Sequence, residues 1–295
     1  MKDNYIRFDW AIKRLLRQKA NFGVLEGFFT VLLDEKVEII EMLESNDQMQ
    51  NYYKFNRVDI KAKNSKGEII IVEVQNIHEM PFRERVVYDA TKGITEHISL
   101  DQSYYEAKKI YSISIFYFDI GKGNDYLYHG QNIFTGVHTG DRLEVSVKGK
   151  YLLVHKLPAE LLPEYFLIRV NEFNQVAVTP LEEWLGYLKD GTIRPDTTVP
   201  GLMEAREKLL YHNMSDGERY AYNEYLSDLM IQNDALEGSK LEGFQEGLQE
   251  IRQQRLQQGV LLERNEIAAN MKKLGLDIPL ISQATGLTPE EIAKL

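Results

Sequence analysis

The sequence predicts an α/β protein, a central mixed sheet flanked by helices, extended at its C-terminus by helices alone. Three observations predict it. Two strand-like runs, 57–63 (RVDIKAK) and 68–75 (EIIIVEVQ), are joined through Asn64-Ser65-Lys66-Gly67. A helical stretch at 82–106 separates them from KIYSISIFYFDI (109–120), a run rich in Ile, Tyr and Phe that reads as a further strand. Past residue 176 the readable segments are helical, and strands followed by helices indicate a mixed core with an appendage.

The elements follow in order. Residues 8–20 read as a helix, with Trp10, Ile12, Leu15 and Leu16 apolar and Lys13, Arg14, Arg17 and Lys19 charged. A second helix spans 22–34, with Phe22, Leu25, Phe29, Leu32 and Leu33 at helical spacing. Residues 36–43 suit a strand, and two hairpin-like segments follow at 125–135 and 142–157. Segments 180–189, 200–212 and 215–234 look helical, 236–258 is highly polar, and 263–295 reads as three short helices. The expected division is a core at 1–175, a helical extension at 176–235, and a polar helix with a short helix-turn-helix-like tail at 236–295.

Composition sets limits. The 295 residues suit one main domain plus an appendage. Cysteine is absent, which excludes disulfides, thiolate metal sites and cysteine nucleophiles. Lys and Arg number 35 against 45 Asp and Glu, a net charge of −10, so a basic nucleic-acid footprint cannot extend over the whole chain. The N-terminus lacks the apolar stretch of a signal peptide, and no segment approaches the roughly 18 apolar residues of a membrane helix. A cytoplasmic protein without membrane attachment is expected.

The hairpin carries the sharpest chemical signal. If its loop is Ser65, Lys66 and Gly67, with glycine in the left-handed position, Asn64 pairs with Glu68 and Asp59 faces Glu73. Gln75 shares that face, since strand side chains alternate. Like charges directly opposite are unfavourable. Ile69 to Val72 are apolar on both faces, so Glu73 ends a buried run, where a carboxylate needs a partner or a metal. Two converging carboxylates suit a hard divalent ion such as Mg²⁺, with Mn²⁺ as a substitute. The alternative is a solvated charged face, with Lys61, Lys63 and Lys66 close by; a two-residue loop would separate the acids.

At these residues the chain resembles the PD-(D/E)XK nuclease superfamily, and more closely the Rpn family of recombination-promoting nucleases and putative transposases. The matching residues are Phe8-Asp9 and Lys13, Val58-Asp59, Glu73-Val74-Gln75, and Phe82-Arg83-x-Arg85 with Tyr88. The strand at Ile110–Phe118 and the tail MKKLGLDIPLISQATGLTPEEI match as well. The resemblance implies a restriction-endonuclease-like core and Mg²⁺-dependent hydrolysis of double-stranded DNA, in the service of recombination or element mobility. Asp59 and Glu73 match the metal-binding acids, with the Val74 carbonyl as a third ligand. Gln75 stands where the superfamily usually has lysine; it can orient water or a phosphate oxygen by hydrogen bonds but brings no positive charge. Val58 replaces the motif's proline. Glu26 is a candidate for the extra acid that such folds often place on the first helix; Gly23, Glu26, Gly27 and Thr30 also read as an ordinary exposed face. Lys13 and Arg17 could contact DNA phosphates or be solvated. Arg83 and Arg85 could clamp a phosphate or pair with Glu79, Glu84 or Asp89. Lys92 is a further candidate cation.

Other chemistries find little support. The six histidines include no i, i+4 pair, Gly121-Lys122-Gly123 lacks phosphate-loop spacing, and there is no Gly-x-Ser-x-Gly. In the tail, Thr288-Pro289-Glu290-Glu291 is a helix start with a capping box, and Gly275 and Gly286 are placed to end helices. From 201 onward 16 acids oppose 10 bases, and the last helix offers only Lys294 as a base. A homo-oligomer contact or protein partner is therefore expected of these helices, ahead of DNA.

Overall fold

The computed structural model describes residues 5–43, 59–76, 86, 109–148 and 153–295. Two helices open the chain, α1 (Phe8–Arg14) and α2 (Phe22–Leu33). The first expected helix stops early: a turn follows Arg14, and a short 3-10 turn at Lys19–Asn21 leads into α2. Strands β1 (Ile39–Met42), β2 (Ile60–Asn64), β3 (Ile69–Gln75) and β4 (Ile110–Phe116) follow. Next come β5 (Leu127–Gly130), β6 (Val145–Lys148), β7 (Leu153–Lys156) and β8 (Glu164–Arg169). The helix expected at 82–106, with Arg83, Arg85, Tyr88 and Lys92, lies outside the described residues, as does Val58; Val86 alone is described there and is helical.

The six-stranded sheet has the order β1-β2-β3-β4-β8-β5. Pairs β3–β4 and β4–β8 are parallel and the others antiparallel, so the sheet is mixed. Every residue of β3 and β4 is buried, as the unbroken apolar runs require. The expected hairpin at 125–135 does not form: β5 instead pairs antiparallel with β8 and closes the sheet's edge. The hairpin within 142–157 does form, from β6 and β7.

Helices α3 (Pro180–Asp190) and α4 (Leu202–Lys208) return to pack on α1 and α2. An aromatic cluster joins them: Trp184 lies 5.0 Å from Phe28 and 6.0 Å from Phe8, ring to ring, with Tyr187 against both Phe8 and Trp184. Buried ring contacts of this kind add about 0.5–1.5 kcal/mol each beyond area burial. The Tyr187 hydroxyl donates to the Ile6 carbonyl at 2.6 Å, and the Trp184 indole donates to the Pro200 carbonyl. Close packing of α2 on the start of α4 needs two glycines. A Cβ on Gly27 would come within 2.1 Å of the Gly201 nitrogen, and Gly201 itself has φ +79°.

The chain divides into two compact units, Met1–Tyr225 and Leu226–Leu295. Helix α5 (Asp216–Lys273) runs 58 residues and passes from one into the other. The polar stretch at 236–258 and the first of the three expected short helices are both part of it, so its interior glycines do not break the helix. In the second unit α6 (Ile278–Thr285) and α7 (Pro289–Lys294) fold back onto the end of α5, with Ala268, Ile281, Leu287 and Ile292 as a small core. The expected signals operate here. Gly275 and Gly286 take positive φ at helix ends, and Thr288 and Glu291 form the capping box.

Candidate functional site

Local turn chemistry sets the hairpin register. The Asn64 side-chain oxygen accepts from the Lys66 and Glu68 amides at 3.1 and 2.9 Å, and Gly67 has φ +79°. Gly67 N–H donates to the Asn64 carbonyl, and Asn64 N–H to the Glu68 carbonyl. The loop is therefore Ser65-Lys66-Gly67. Ile60 pairs with Val72, Lys61 with Ile71 and Ala62 with Ile70, and the same register sets Asp59 against Glu73. Across directly opposed strands Cβ atoms lie about 4.5–5.5 Å apart. Asp59, Glu73 and Gln75 are all buried, at 8, 6 and 5% exposure.

Asp59 is held from three sides. Strand β2 begins at Ile60, and the Asp59 carboxylate just before it takes the next β3 amide: Val74 N–H donates to Oδ2 at 2.6 Å. Lys13 Nζ, from α1, stands 3.6 Å from Oδ1. Arg17 donates through Nε and Nη2 to the Asp59 main-chain oxygen at 3.0 and 2.6 Å. Burial, reinforced by the charge of Glu73, pushes the Asp59 carboxyl up to about 6, while Lys13 and the Val74 amide pull it down. Gln75 differs from both acids: neither its Oε1 nor its Nε2 has a hydrogen-bond partner among the described residues. A buried amide left so is costly, by roughly 1–3 kcal/mol, and such groups call for a ligand.

Of the remaining sequence candidates, Glu26 is described and lies away from the hairpin acids, while Arg83, Arg85 and Lys92 lie outside the described residues. The Glu26 carboxylate accepts from the Ile39 amide at 2.7 Å and Thr30 Oγ1 from Val37, so this part of α2 fixes the entry to β1. Three further features were not visible in the sequence. Lys61 is buried on the Asp59 face. Ser114 of β4 pairs in register with Glu73. Fully buried Asp9 accepts from Arg7 (Nε and Nη2), the Trp10 amide and the Tyr225 hydroxyl, and that hydroxyl in turn accepts from Asn76, next to Gln75. The Phe8-Asp9 pair gave a local hint, but partners 149 and 216 residues apart leave no local signal.

The donor set suits a hard divalent ion sparingly coordinated by protein. Two carboxylates, a main-chain carbonyl and an amide oxygen are all oxygen donors, and Mg²⁺ keeps several waters. Among the described residues no group of three or more His, Asp or Glu forms a richer cluster.

A mixed sheet flanked by helices, with two acids facing each other on its central hairpin, defines a restriction-endonuclease-like protein. Residues 6–237 match the family model of the PD-(D/E)XK nuclease family transposases, and the chain belongs to that family. Comparison with curated proteins and with solved structures gave no match. Among the described residues no helix is long and apolar enough to cross a membrane.

Proposed function

We propose that the chain is a Mg²⁺-dependent endonuclease acting on double-stranded DNA. The observation that carries this reading is the facing of Asp59 and Glu73 across the hairpin, with the Gln75 amide, which has no partner among the described residues, on the same face. Asp59, Glu73 and the Val74 carbonyl would hold the ion. When bound, it supplies Lewis-acid stabilisation of charge on the scissile phosphate and makes water easier to deprotonate.

The chain's own groups do the rest. The Val74 amide and Arg17 fix Asp59 through its side chain and main chain, so the carboxylate needs little reorganisation. Gln75 orients the attacking water or a phosphate oxygen by hydrogen bonds. Lys13 brings to Asp59 the positive charge that Gln75 lacks, and can turn to a phosphate because it is 42% exposed. Arg83 and Arg85 are proposed to grip the DNA backbone. With an acidic chain overall, binding should be weak and salt-sensitive. A cytoplasmic role in recombination or element mobility fits the family.

The test is plasmid nicking by the full chain. Mg²⁺-dependent nicking that is blocked by chelator and absent in Asp59→Ala and Glu73→Ala supports the reading; equal nicking by those variants refutes it. The Lys13 contact favours a second reading, in which its ammonium takes the cation's place and the fold binds DNA without cutting. Mn²⁺ titration separates the two. A wild-type chain that binds no Mn²⁺, together with a Lys13→Ala chain that does, would select the second.

A further inference from the structure

We propose that helix α5 pairs with the same helix of a second chain, antiparallel and in one defined register. Within the second unit this helix exposes an apolar seam at heptad spacing: Leu241, Phe244, Leu248 and Ile251, which are 50–65% exposed. Met230 and Leu262 continue the same heptad, at 67 and 69% exposure. A seam with period 3.5 is the pattern of helices that wind on each other.

The polar residues on that seam select the orientation. Extending the heptad places Asp234, Glu237, Arg255 and Gln258 at core positions. A parallel, in-register pair would set each of them against its own copy, Glu237 on Glu237 and Arg255 on Arg255. An antiparallel pair that sets Leu241 on Ile251 does otherwise. Phe244 then meets Leu248, Met230 meets Leu262, and Asp234 meets Gln258. Glu237 meets Arg255 twice, once at each end of the apolar block. Sliding one helix by a heptad in either direction puts apolar residues on charged or polar ones: Phe244 on Arg255 and Leu241 on Gln258 one way, Met230 on Arg255 and Leu248 on Glu237 the other. Burial and charge agree on one register alone.

Three of the four glycines in the second-unit part of the helix point the same way; the fourth, Gly243, lies off the seam. Gly238, Gly247 and Gly259 lie inside the helix, and a Cβ on any of them would meet nothing within 4 Å in this chain. Each weakens an exposed helix relative to alanine, so the chain's own packing gives no reason for them. In the heptad all three flank the seam, where an approaching partner helix would need the room, and the Gly247 residues of the two chains face each other near the pair's centre.

The test uses the full chain and is independent of nuclease activity. Light scattering at tens of micromolar should show a dimer. Glu237→Arg alone and Arg255→Glu alone should each weaken it by about tenfold or more, and the double reversal should restore it; circular dichroism confirms that each variant keeps its helix. Because the chain has no cysteine, Glu237→Cys and Arg255→Cys chains can be mixed and oxidised. The mixture should cross-link, and neither variant alone should. A monomeric chain, a reversal without rescue, or cross-linking of Glu237→Cys with itself would each overturn the proposal, the last in favour of a parallel pair.

Discussion

Two buried carboxylates on one sheet are treated in opposite ways. Glu164, on β8, is 6% exposed; it receives Lys109, Gln131 Nε2 at 3.0 Å and His129 Nε2. Burial pushes its carboxyl up, but these partners outweigh burial and hold it below the ordinary range. Asp59, about as buried, faces another acid and ends up near 6. The β8 site is complete as it stands. The hairpin site instead sets two acids opposite each other, beside a buried amide with no hydrogen-bond partner among the described residues, an arrangement that suits the proposed cation.

The largest expected effect tests that difference in function. Glu73→Gln should lower nicking by about 100-fold or more, whereas Glu164→Gln should leave turnover within a few-fold; equal losses would erase the distinction. Stability should reverse the ranking. Glu164→Gln strands the Lys109 ammonium, which is only 15% exposed, and should cost about 2–3 kcal/mol by urea unfolding. Asp59→Asn keeps an acceptor for the Val74 amide and removes the repulsion with Glu73. It should raise stability by about 1–3 kcal/mol at pH 8 in chelator.

The pH dependence sharpens the contrast, because the two groups have opposite signs. For Asp59 the folded chain holds its proton up to about pH 6, the unfolded chain only to about 4. Stability therefore falls as pH rises through that window, by about 3 kcal/mol in all, and stays flat above it. For Glu164 the folded chain loses its proton first. Its contribution is present above the unfolded value and is lost as pH falls through the folded one. Unfolding midpoints across pH 3–8 should show the Asp59 limb vanish in Asp59→Asn and the Glu164 limb vanish in Glu164→Gln. The smallest effect concerns Gln75. Replacing it by Met removes a buried amide that has no partner among the described residues, and should stabilise the chain by up to about 1 kcal/mol in thermal unfolding.

What the sequence revealed follows from how local each cause is. Asn64 and Gly67 fix the hairpin within five residues, so the Asp59–Glu73 register could be read directly. Thr288 and Glu291 fix the last helix in the same way. The Lys13 and Arg17 contacts to Asp59, and the use of Glu26 on the Ile39 amide, depend on how helices return to the sheet, and spacing alone could not place them. Helix α5 was legible as separate pieces. Glycine propensity argues against one helix from 216 to 273, and the seam along it becomes visible only once the pieces join.

The two tryptophans sit in two different places. Trp184 lies wholly inside the aromatic cluster, while Trp10 packs edge-on against Tyr222, in the opening turns of α5, with ring centres 5.3 Å apart. The molecule thus carries two optical reporters: fluorescence from a Trp184→Phe chain registers any loosening of that helix start, and emission from a Trp10→Phe chain follows the interior alone.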